Sequence, residues 1–367
     1  MNFYQAMQLS AAQMKPLIKE ESDKKIKQKY ILAFIAKNIL CTLFCVLVVS
    51  FFSKIFGKEN SAVGVVTVIL ILSFRFTNLD FNIKQSTFTI FGVFVVYAIS
   101  PYLSNILNPI LGFAINFVSI ITIIILTCHN MIYANHIVLV LSYFLLYGSK
   151  VVSMESYLSR VSGLLLGGII VALIFYIKNK INKKEYDNTI LDIIKDFDLN
   201  TERGKWQVKL ALGVSSGVLI GELLHFPKTM WIAFACMSVI QQTTKDKLDI
   251  RCKKRMASAI VGCIAFSIIY ILLPKQIITI IPIMAGVLVG FCATYEWQTV
   301  VNSFSALPST VAVLGLTNGI IFRVVSNVFG SLYSKLFDHL YYKVINNLCD
   351  KFNNKNEEEF EQIEANI

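Results

Sequence analysis

The feature that most constrains this chain is a series of long apolar segments separated by short polar stretches. Hydrophobic residues make up 55% of the 367 positions and charged residues only 16%, and the mean hydropathy is +0.63. A water-soluble core of one or two domains cannot bury such a large apolar fraction. The sequence therefore predicts a polytopic membrane protein.

The apolar segments favour helices. They are long, rich in Ile, Leu, Val and Phe, and the chain contains only 7 prolines, whereas a membrane barrel would show short alternating segments. The first six segments lie near residues 31–52, 61–76, 87–104, 107–127, 131–148 and 157–178. The second six lie near residues 207–224, 229–241, 256–274, 276–295, 297–317 and 319–338. We predict an all-α fold with about twelve transmembrane helices, although several segments are shorter than the ~20 residues of a perpendicular span.

Basic residues indicate the orientation, because cytoplasmic loops collect Lys and Arg. With both termini in the cytoplasm, 26 of the 34 basic residues lie on the cytoplasmic side, 5 lie outside and 3 are embedded. The richest cytoplasmic patches are the N-terminal run, residues 178–209 and residues 245–255. We therefore predict a multi-pass protein of the cell membrane, the inner membrane where there are two, with both termini cytoplasmic.

The two sets of six segments resemble a tandem repeat. Leu79-Asp80 followed by Gly92 is matched by Leu248-Asp249 followed by Gly262, an offset of 169 to 170 residues. An even number of helices in each half makes the repeats parallel, as in some transporters. The predicted organisation is a cytoplasmic segment 1–30, a membrane repeat 31–178, a connector 179–205, a second membrane repeat 206–338 and a cytoplasmic tail 339–367.

One short motif recurs at the head of three apolar runs: an arginine followed seven residues later by a glycine. It occurs as Arg160 with Gly167, Arg255 with Gly262, and Arg323 with Gly330. Seven residues are about two helical turns, so both members of each pair share one helix face. A cation in a bilayer usually faces a pore or a partner, and a glycine lets a second helix approach closely.

We predict that Arg160, Arg255 and Arg323 bind an anionic substrate. The glycines of the three pairs, together with Gly92, are predicted to pack helices. For Arg255 an equally weighted alternative is anchoring at the inner membrane interface, because it ends a cytoplasmic basic run.

Proton coupling needs a titratable group within the membrane region. Glu222, Glu296 and His136 are the candidates, weighed against the simpler interpretation that carboxylates near segment ends face water. The 8 cysteines show no CxxC or Cys/His spacing, so we expect no metal site and no disulfide framework.

Other function classes lack their sequence signatures. The chain has no Walker A sequence, no GxSxG elbow and no HExxH pair, so we predict no enzymatic activity and no cofactor. There is also no interleaving of basic and aromatic residues that favours nucleic acid as a partner. The expected partners are the lipid bilayer and a small organic anion, with assembly into a homo-oligomer left open.

Three segments of the second half resemble a known family. Residues 227–233 (PKTMWIA), the pair Arg255 and Gly262, and the pair Arg323 and Gly330 are similar to motifs of the fusaric acid resistance (FUSC) or aromatic acid exporter family of membrane transporters. The resemblance covers about residues 30–345. Plant aluminium-activated malate channels are similar to this arrangement, because each subunit of their dimer has six helices and arginines face an anion path. By this resemblance the two halves of the chain would correspond to the two subunits and form one pseudo-dimeric pathway. At the first-half position that matches Arg255 the chain has Gln85, which implies an asymmetric site.

These observations together lead to a functional hypothesis. We expect secondary export of small organic anions, resembling aromatic carboxylates, through a path between the two repeats. Two alternatives stay open: an uncoupled anion channel, and a membrane scaffold or envelope-assembly protein that transports nothing.

Overall fold

The structure, a computed structural model, describes residues 1–130, 133–181 and 186–365. The regular secondary structure of the described part is helical, and this part contains no strand. The helices before the connector are α1 (Phe3–Gln8), α2 (Ala11–Glu20), α3 (Lys24–Phe56), α4 (Ser61–Phe74), α5 (Ile83–Ile106), α6 (Pro109–Thr127), α7 (Asn135–Gly148) and α8 (Met154–Ile181). The remaining helices are α9 (Ile190–Lys195), α10 (Glu202–Leu223), α11 (Met230–Ile240), α12 (Lys245–Leu272), α13 (Lys275–Ile278), α14 (Ile281–Phe291), α15 (Tyr295–Leu314) and α16 (Leu316–Ala365).

The predicted all-α membrane fold is confirmed. Among the described residues, six helices are long and apolar enough to cross a membrane: α3, α5, α6, α8, α12 and the part of α16 up to Ile345. Each of the twelve predicted segments coincides mainly with a different helix, although residues 276–295 also include parts of α13 and α15, and residues 297–317 reach the start of α16. The six main helices that do not meet the criterion for crossing are shorter or more polar. Twelve crossings therefore stay a prediction.

Local signals explain where these helices begin and end. At the start of α5, the Asn82 side chain accepts hydrogen bonds from the backbone N–H groups of Lys84 and Gln85. Asn108 caps α6 in the same way, with Pro109 at the first helical position. Gly57 ends α3 at φ +95°, a backbone conformation that residues other than glycine rarely adopt. The long apolar runs are thereby divided into separate helices.

One end of the helix bundle, which we call the Glu222 end, gathers the loops between α3 and α4, between α7 and α8, and between α10 and α11. There the Asn60 side chain donates to the carbonyl of Ser156 at 3.0 Å. Tyr147, at the end of α7, donates to Glu222, at the end of α10, at 2.9 Å. These bonds join helix ends that alternate along the chain, which is the arrangement of antiparallel neighbours.

The opposite end, which we call the Asp338 end, gathers the starts of α5 and α10, the end of α11 and the connector. The backbone N–H of Asn82 donates to the carbonyl of Asn188 in the connector at 2.9 Å. Trp206, near the start of α10, donates from its indole N–H to the carbonyl of Gln241 at 3.0 Å. Successive apolar helices therefore run from one end of the bundle to the other.

The largest apolar core is formed by α4 to α8 together with α10 and α11. A smaller cluster of Cys263, Phe266, Leu307 and Val311 joins α12 to α15. Helix α16 lies between the two, because Phe329, Tyr333 and Phe337 pack on the large core while its other face contacts α12 and α15. This position makes α16 the seam of the second half.

Several helix pairings recur in the two halves. The second helix contacts the sixth in both (α4 with α8, α11 with α16), and so does the third (α5 with α8, α12 with α16). The first helix of each half also packs on a helix of the other half, α3 on α14 and α10 on α6. These pairings agree with the predicted repeat without establishing it.

The predicted boundaries shift at three places. Helix α3 begins at Lys24 rather than at residue 31, and α1 and α2 fold back on it, with Met14 fully buried. The connector 179–205 includes the end of α8, all of α9 and the start of α10. Helix α16 continues through residue 339 without a break. Polar helical residues extend these elements beyond the apolar runs that marked them in the sequence.

Candidate functional site

Helix α16 carries a polar stripe along its buried side, formed by Arg323, Asn327, Gly330, Ser334 and Asp338. Steps of three and four residues put all five on one helix face. The side chains of this stripe are buried, from fully buried Ser334 to Asp338 at 7% exposure. Because buried charged and polar side chains are costly within a bilayer, this face is a candidate functional surface.

Arg323 lies at the head of this stripe and is 6% exposed. Its guanidinium carbon lies 4.8 Å from the centre of the Trp231 ring, on α11. The side chain makes no hydrogen bond or ion pair with any described residue, and its buried Nε has no partner. Because a buried unpaired cation is costly, this guanidinium is available to an anionic ligand.

Arg255, on α12, contacts the stripe at Asn327, one turn of α16 beyond Arg323. Its Nε donates to the side-chain oxygen of Asn327 at 3.0 Å, and an Nη donates to the Tyr295 hydroxyl at 3.2 Å. Asn327 in turn donates to the carbonyl of Arg323 at 2.8 Å. The structure therefore brings two of the three predicted arginines together, with Asn327 between them.

Arg251 and Tyr295 lie near this pair and were not predicted from the sequence. The guanidinium of Arg251 lies 3.2 Å from the centre of the Tyr295 ring, and its Nε donates to the carbonyl of Ser238 at 3.3 Å. The Tyr295 hydroxyl is also 2.6 Å from the Ser238 hydroxyl. The available signal was that Arg251 lies four residues before Arg255, on the same helix face.

Arg160 has a different environment. Its Nε donates to the side-chain oxygen of Asn60 at 3.0 Å, and an Nη donates to the carbonyl of Ser149. All of these partners belong to the first half at the Glu222 end, and one Nη lacks a partner among the described residues. The structure does not bring Arg160 to the site of Arg255 and Arg323.

Three of the predicted packing glycines lie at close helix contacts. An added Cβ at Gly330 would lie 2.7 Å from the Cβ of Ala235 and 3.0 Å from the carbonyl oxygen of Ile232, on α11. An added Cβ at Gly167 would clash with Thr67, on α4. Each of these two glycines thus packs the sixth helix of its half on the second helix of the same half.

Gly262 and Gly92 differ in their surroundings. An added Cβ at Gly262 would lie 2.7 Å from the Ser303 hydroxyl, so this glycine allows α12 to approach α15. At Gly92 an added Cβ would meet no described atom within 4 Å. Gly92 instead lines a largely apolar cavity of about 400 Å³ beside Gln85, and its predicted packing role is corrected accordingly.

The carboxylates predicted for proton coupling lie at opposite ends of the bundle. Glu222 accepts hydrogen bonds from the Tyr147 hydroxyl at 2.9 Å and from the Thr229 hydroxyl at 2.8 Å. Since Tyr147 belongs to the first half, this half-buried carboxylate bridges the two halves. Glu296 instead forms an ion pair with Lys254 at the Asp338 end.

His136, the third coupling candidate, is buried in the core. Its Nε2 lies 2.9 Å from the side-chain oxygen of Gln241, and its ring meets the Trp206 ring edge-on at 4.8 Å. The other ring nitrogen has no partner among the described residues. The three coupling candidates therefore do not form one relay.

A buried ion pair at the Asp338 end was not anticipated. Lys209, which sequence reasoning counted with the cytoplasmic basic patch, has no exposed surface, and its ammonium lies 2.7 Å from an Asp338 carboxylate oxygen. It also donates to the carbonyl of Gln242 at 3.0 Å and lies 4.9 Å from the centre of the Tyr342 ring. Asp338 closes the polar stripe of α16 at this end.

One known protein family matches part of the chain, and the matched part includes this site. The family model described as "Fusaric acid resistance protein-like" matches residues 215–337. The matched range contains the site formed by Trp231, Arg255 and Arg323, and it excludes Lys209 and Asp338. No curated protein and no solved structure matches the chain. The resemblance predicted from the sequence is confirmed over residues 215–337, which are similar to the fusaric acid resistance protein-like family.

Proposed function

We propose that this protein is a secondary transporter that exports small organic anions, with aromatic carboxylates as the substrate class. The observation that carries the proposal is Arg323, a buried guanidinium with no hydrogen bond or ion pair to a described side chain. The family description supports the substrate class, because fusaric acid is an aromatic carboxylic acid. The protein acts by binding and moving its substrate and performs no covalent chemistry.

The side chains around Arg323 suit such a ligand. A guanidinium holds a carboxylate with two parallel hydrogen bonds, and this fork is lost when arginine is replaced by lysine. Trp231 offers a flat aromatic surface beside the cation for the ring of the substrate. Arg255 adds a second positive charge one turn away, so that the carboxylate passes from one cation to the next along α16.

The proposed architecture has twelve crossings in two parallel repeats. The Glu222 end faces the outside and the Asp338 end faces the cytoplasm, as the distribution of basic residues favours. Sequence reasoning located the path between the repeats. The contacts of Arg255 and Arg323 favour a path along the polar stripe of α16, inside the second repeat, while Arg160 holds the first repeat together.

Glu222 is the favoured coupling residue of this transporter. Of the two carboxylate candidates, it is the one whose described hydrogen bonds join the two halves, so removing its charge alters a contact between them. With Glu222→Gln we expect benzoate flux that no longer responds to an imposed proton gradient. A wild-type protein whose flux ignores the gradient supports the uncoupled channel instead.

The test is efflux of radiolabelled benzoate from liposomes that contain the purified full chain. Arg323→Met keeps the side-chain volume and removes the charge, and we expect the initial rate to fall by about tenfold or more, since one charge-assisted hydrogen-bonded pair is lost. Arg323→Lys should retain part of the rate. Normal flux through well-folded Arg323→Met contradicts the proposal, and a wild-type protein without flux for benzoate or fusaric acid favours the membrane scaffold.

A further inference from the structure

Lys209 and Asp338 form the second notable charge arrangement of the polar stripe. Lys209 is fully buried on α10, one of the proposed membrane crossings, and buried charges within a membrane usually mark an ion or substrate pathway. Two of the three ammonium donors are assigned, to Asp338 at 2.7 Å and to the carbonyl of Gln242 at 3.0 Å. The Tyr342 ring lies beside the same ammonium. In the present conformation Asp338 supplies the anion that this cation requires.

The polar stripe connects this pair to Arg323. The 15 residues from Arg323 to Asp338 correspond to about 22 Å of helix, about three quarters of the ~30 Å thickness of the hydrocarbon region. Ser331 and Ser334, between them, are fully buried. The Ser331 hydroxyl has no partner among the described residues. The stripe therefore has a cation near each end and small polar side chains in between.

A cavity of about 310 Å³ is lined by Asp338, on the side of this residue that faces away from Lys209. Its lining includes the basic side chains Lys245 and Lys335 as well as Tyr342. Asp338 belongs to the lining and Lys209 does not, so the carboxylate separates the buried ammonium from the cavity. An anion that enters this cavity meets Asp338 in the position that its own carboxylate would take.

We propose that Lys209 is a second anion-binding station, and that Asp338 occupies it in place of the transported carboxylate when the site is empty. The inference rests on the proposed function and deepens it by assigning the cytoplasmic end of the path. An organic carboxylate arriving through the cavity displaces Asp338, binds Lys209 beside the Tyr342 ring, and continues along the stripe toward Arg255 and Arg323. Both residues lie outside the range matched by the family model.

A purely structural ion pair is the competing explanation, because the contact also ties α10 to α16. The two explanations differ once the carboxylate is removed. A structural pair leaves an unpaired buried cation that destabilises the protein and that no added anion relieves. An anion station leaves a vacant cation that a carboxylate from solution fills.

The experiment measures thermal unfolding of the purified full chain in detergent as sodium benzoate is added, with sodium gluconate at equal ionic strength as the reference. For Asp338→Asn we expect benzoate to raise the melting temperature, with half-maximal effect at a concentration about tenfold lower than for the wild type, because the competing carboxylate is gone. Asp249→Asn is the matched control. It removes a carboxylate paired with Lys335 at 2.9 Å in the lining of the same cavity, so we expect a change of less than about twofold.

A double variant separates binding from structure. Lys209→Met/Asp338→Leu replaces the pair by apolar side chains, which preserve folding when a buried ion pair is only structural. We expect this variant to fold, to show no high-affinity benzoate stabilisation and to lose benzoate flux. Wild-type flux through the folded double variant overturns the inference, and so does Asp338→Asn that benzoate does not stabilise.

Failure of this inference is distinguishable from failure of the proposed function. Asp338→Asn/Arg323→Met lacks the Arg323 site and keeps Lys209. Benzoate stabilisation that persists in this variant locates binding at Lys209 independently of Arg323. Stabilisation that vanishes with Arg323→Met assigns the effect to Arg323 and contradicts a separate station.

Discussion

The arginines near the starts of α8 and α16 are predicted to differ in how much the same substitution lowers stability. Methionine keeps most of the volume of arginine, so Arg160→Met and Arg323→Met differ mainly in the polar contacts that are lost. Arg160→Met removes hydrogen bonds to Asn60 and to the carbonyl of Ser149 and leaves both acceptors without this donor. Each hydrogen bond to a charged group contributes about 1.5–3 kcal/mol, so a net loss of about 3 kcal/mol is expected after the cost of burying the charge is recovered.

For Arg323→Met the two terms nearly cancel. The cation–π contact with Trp231 contributes about 1–2 kcal/mol, and removal of the buried unpaired Nε recovers a similar amount. We therefore expect Arg160→Met to lower the melting temperature by roughly 5 °C or more and Arg323→Met to change it by no more than roughly 2 °C.

A thiol-reactive fluorescent dye measures both melting temperatures. Cys236 and Cys263 are fully buried and become accessible when the helices separate. Unfolding of Arg323→Met at a temperature well below that of Arg160→Met would refute the reasoning, because Arg323 would then be the structural residue.

Three further predictions concern packing, pH and topology. Gly330→Ala should lower stability by about 1–3 kcal/mol, because the new Cβ meets α11, whereas Gly92→Ala should be neutral or stabilising; thermal unfolding compares them. Burial and the Arg203 guanidinium lower the pKa of His129, so its contribution to stability is present above pH 6.5 and is lost on acidification; His129→Asn should flatten this part of a stability-against-pH curve. Single cysteines in the connector 179–205 should be shielded from an impermeant reagent in intact cells. Labelling of these cysteines would contradict the predicted orientation.

The sequence predicted the helices well where an apolar run and its flanking turn signals agree. Asn108 and Pro109 begin α6 within two residues of the predicted segment. Helices α3 and α16 extend past their predicted bounds because helical geometry continues through polar residues, which hydropathy does not register. Hydropathy indicates which residues lie within the bilayer, but it does not indicate where the hydrogen-bonded helix ends.

The candidate site was predicted in part. The motif of Arg323 and Gly330 identified the correct helix face, since both residues lie on the polar stripe of α16. Lys209 and Asp338 were missed because 129 residues separate them and each lies at the edge of an apolar run, where hydropathy alone indicates a charged residue facing water. Contacts between distant helices decide such cases, and no periodicity in one segment encodes them.

Equilibrium binding of radiolabelled benzoate to the purified protein tests the central claim most directly. The account predicts saturable binding to the wild type, with affinity reduced about tenfold or more in Arg323→Met and partly retained in Arg323→Lys, at unchanged melting temperature. Wild-type affinity in a folded Arg323→Met protein would contradict the claim that this guanidinium holds the transported anion.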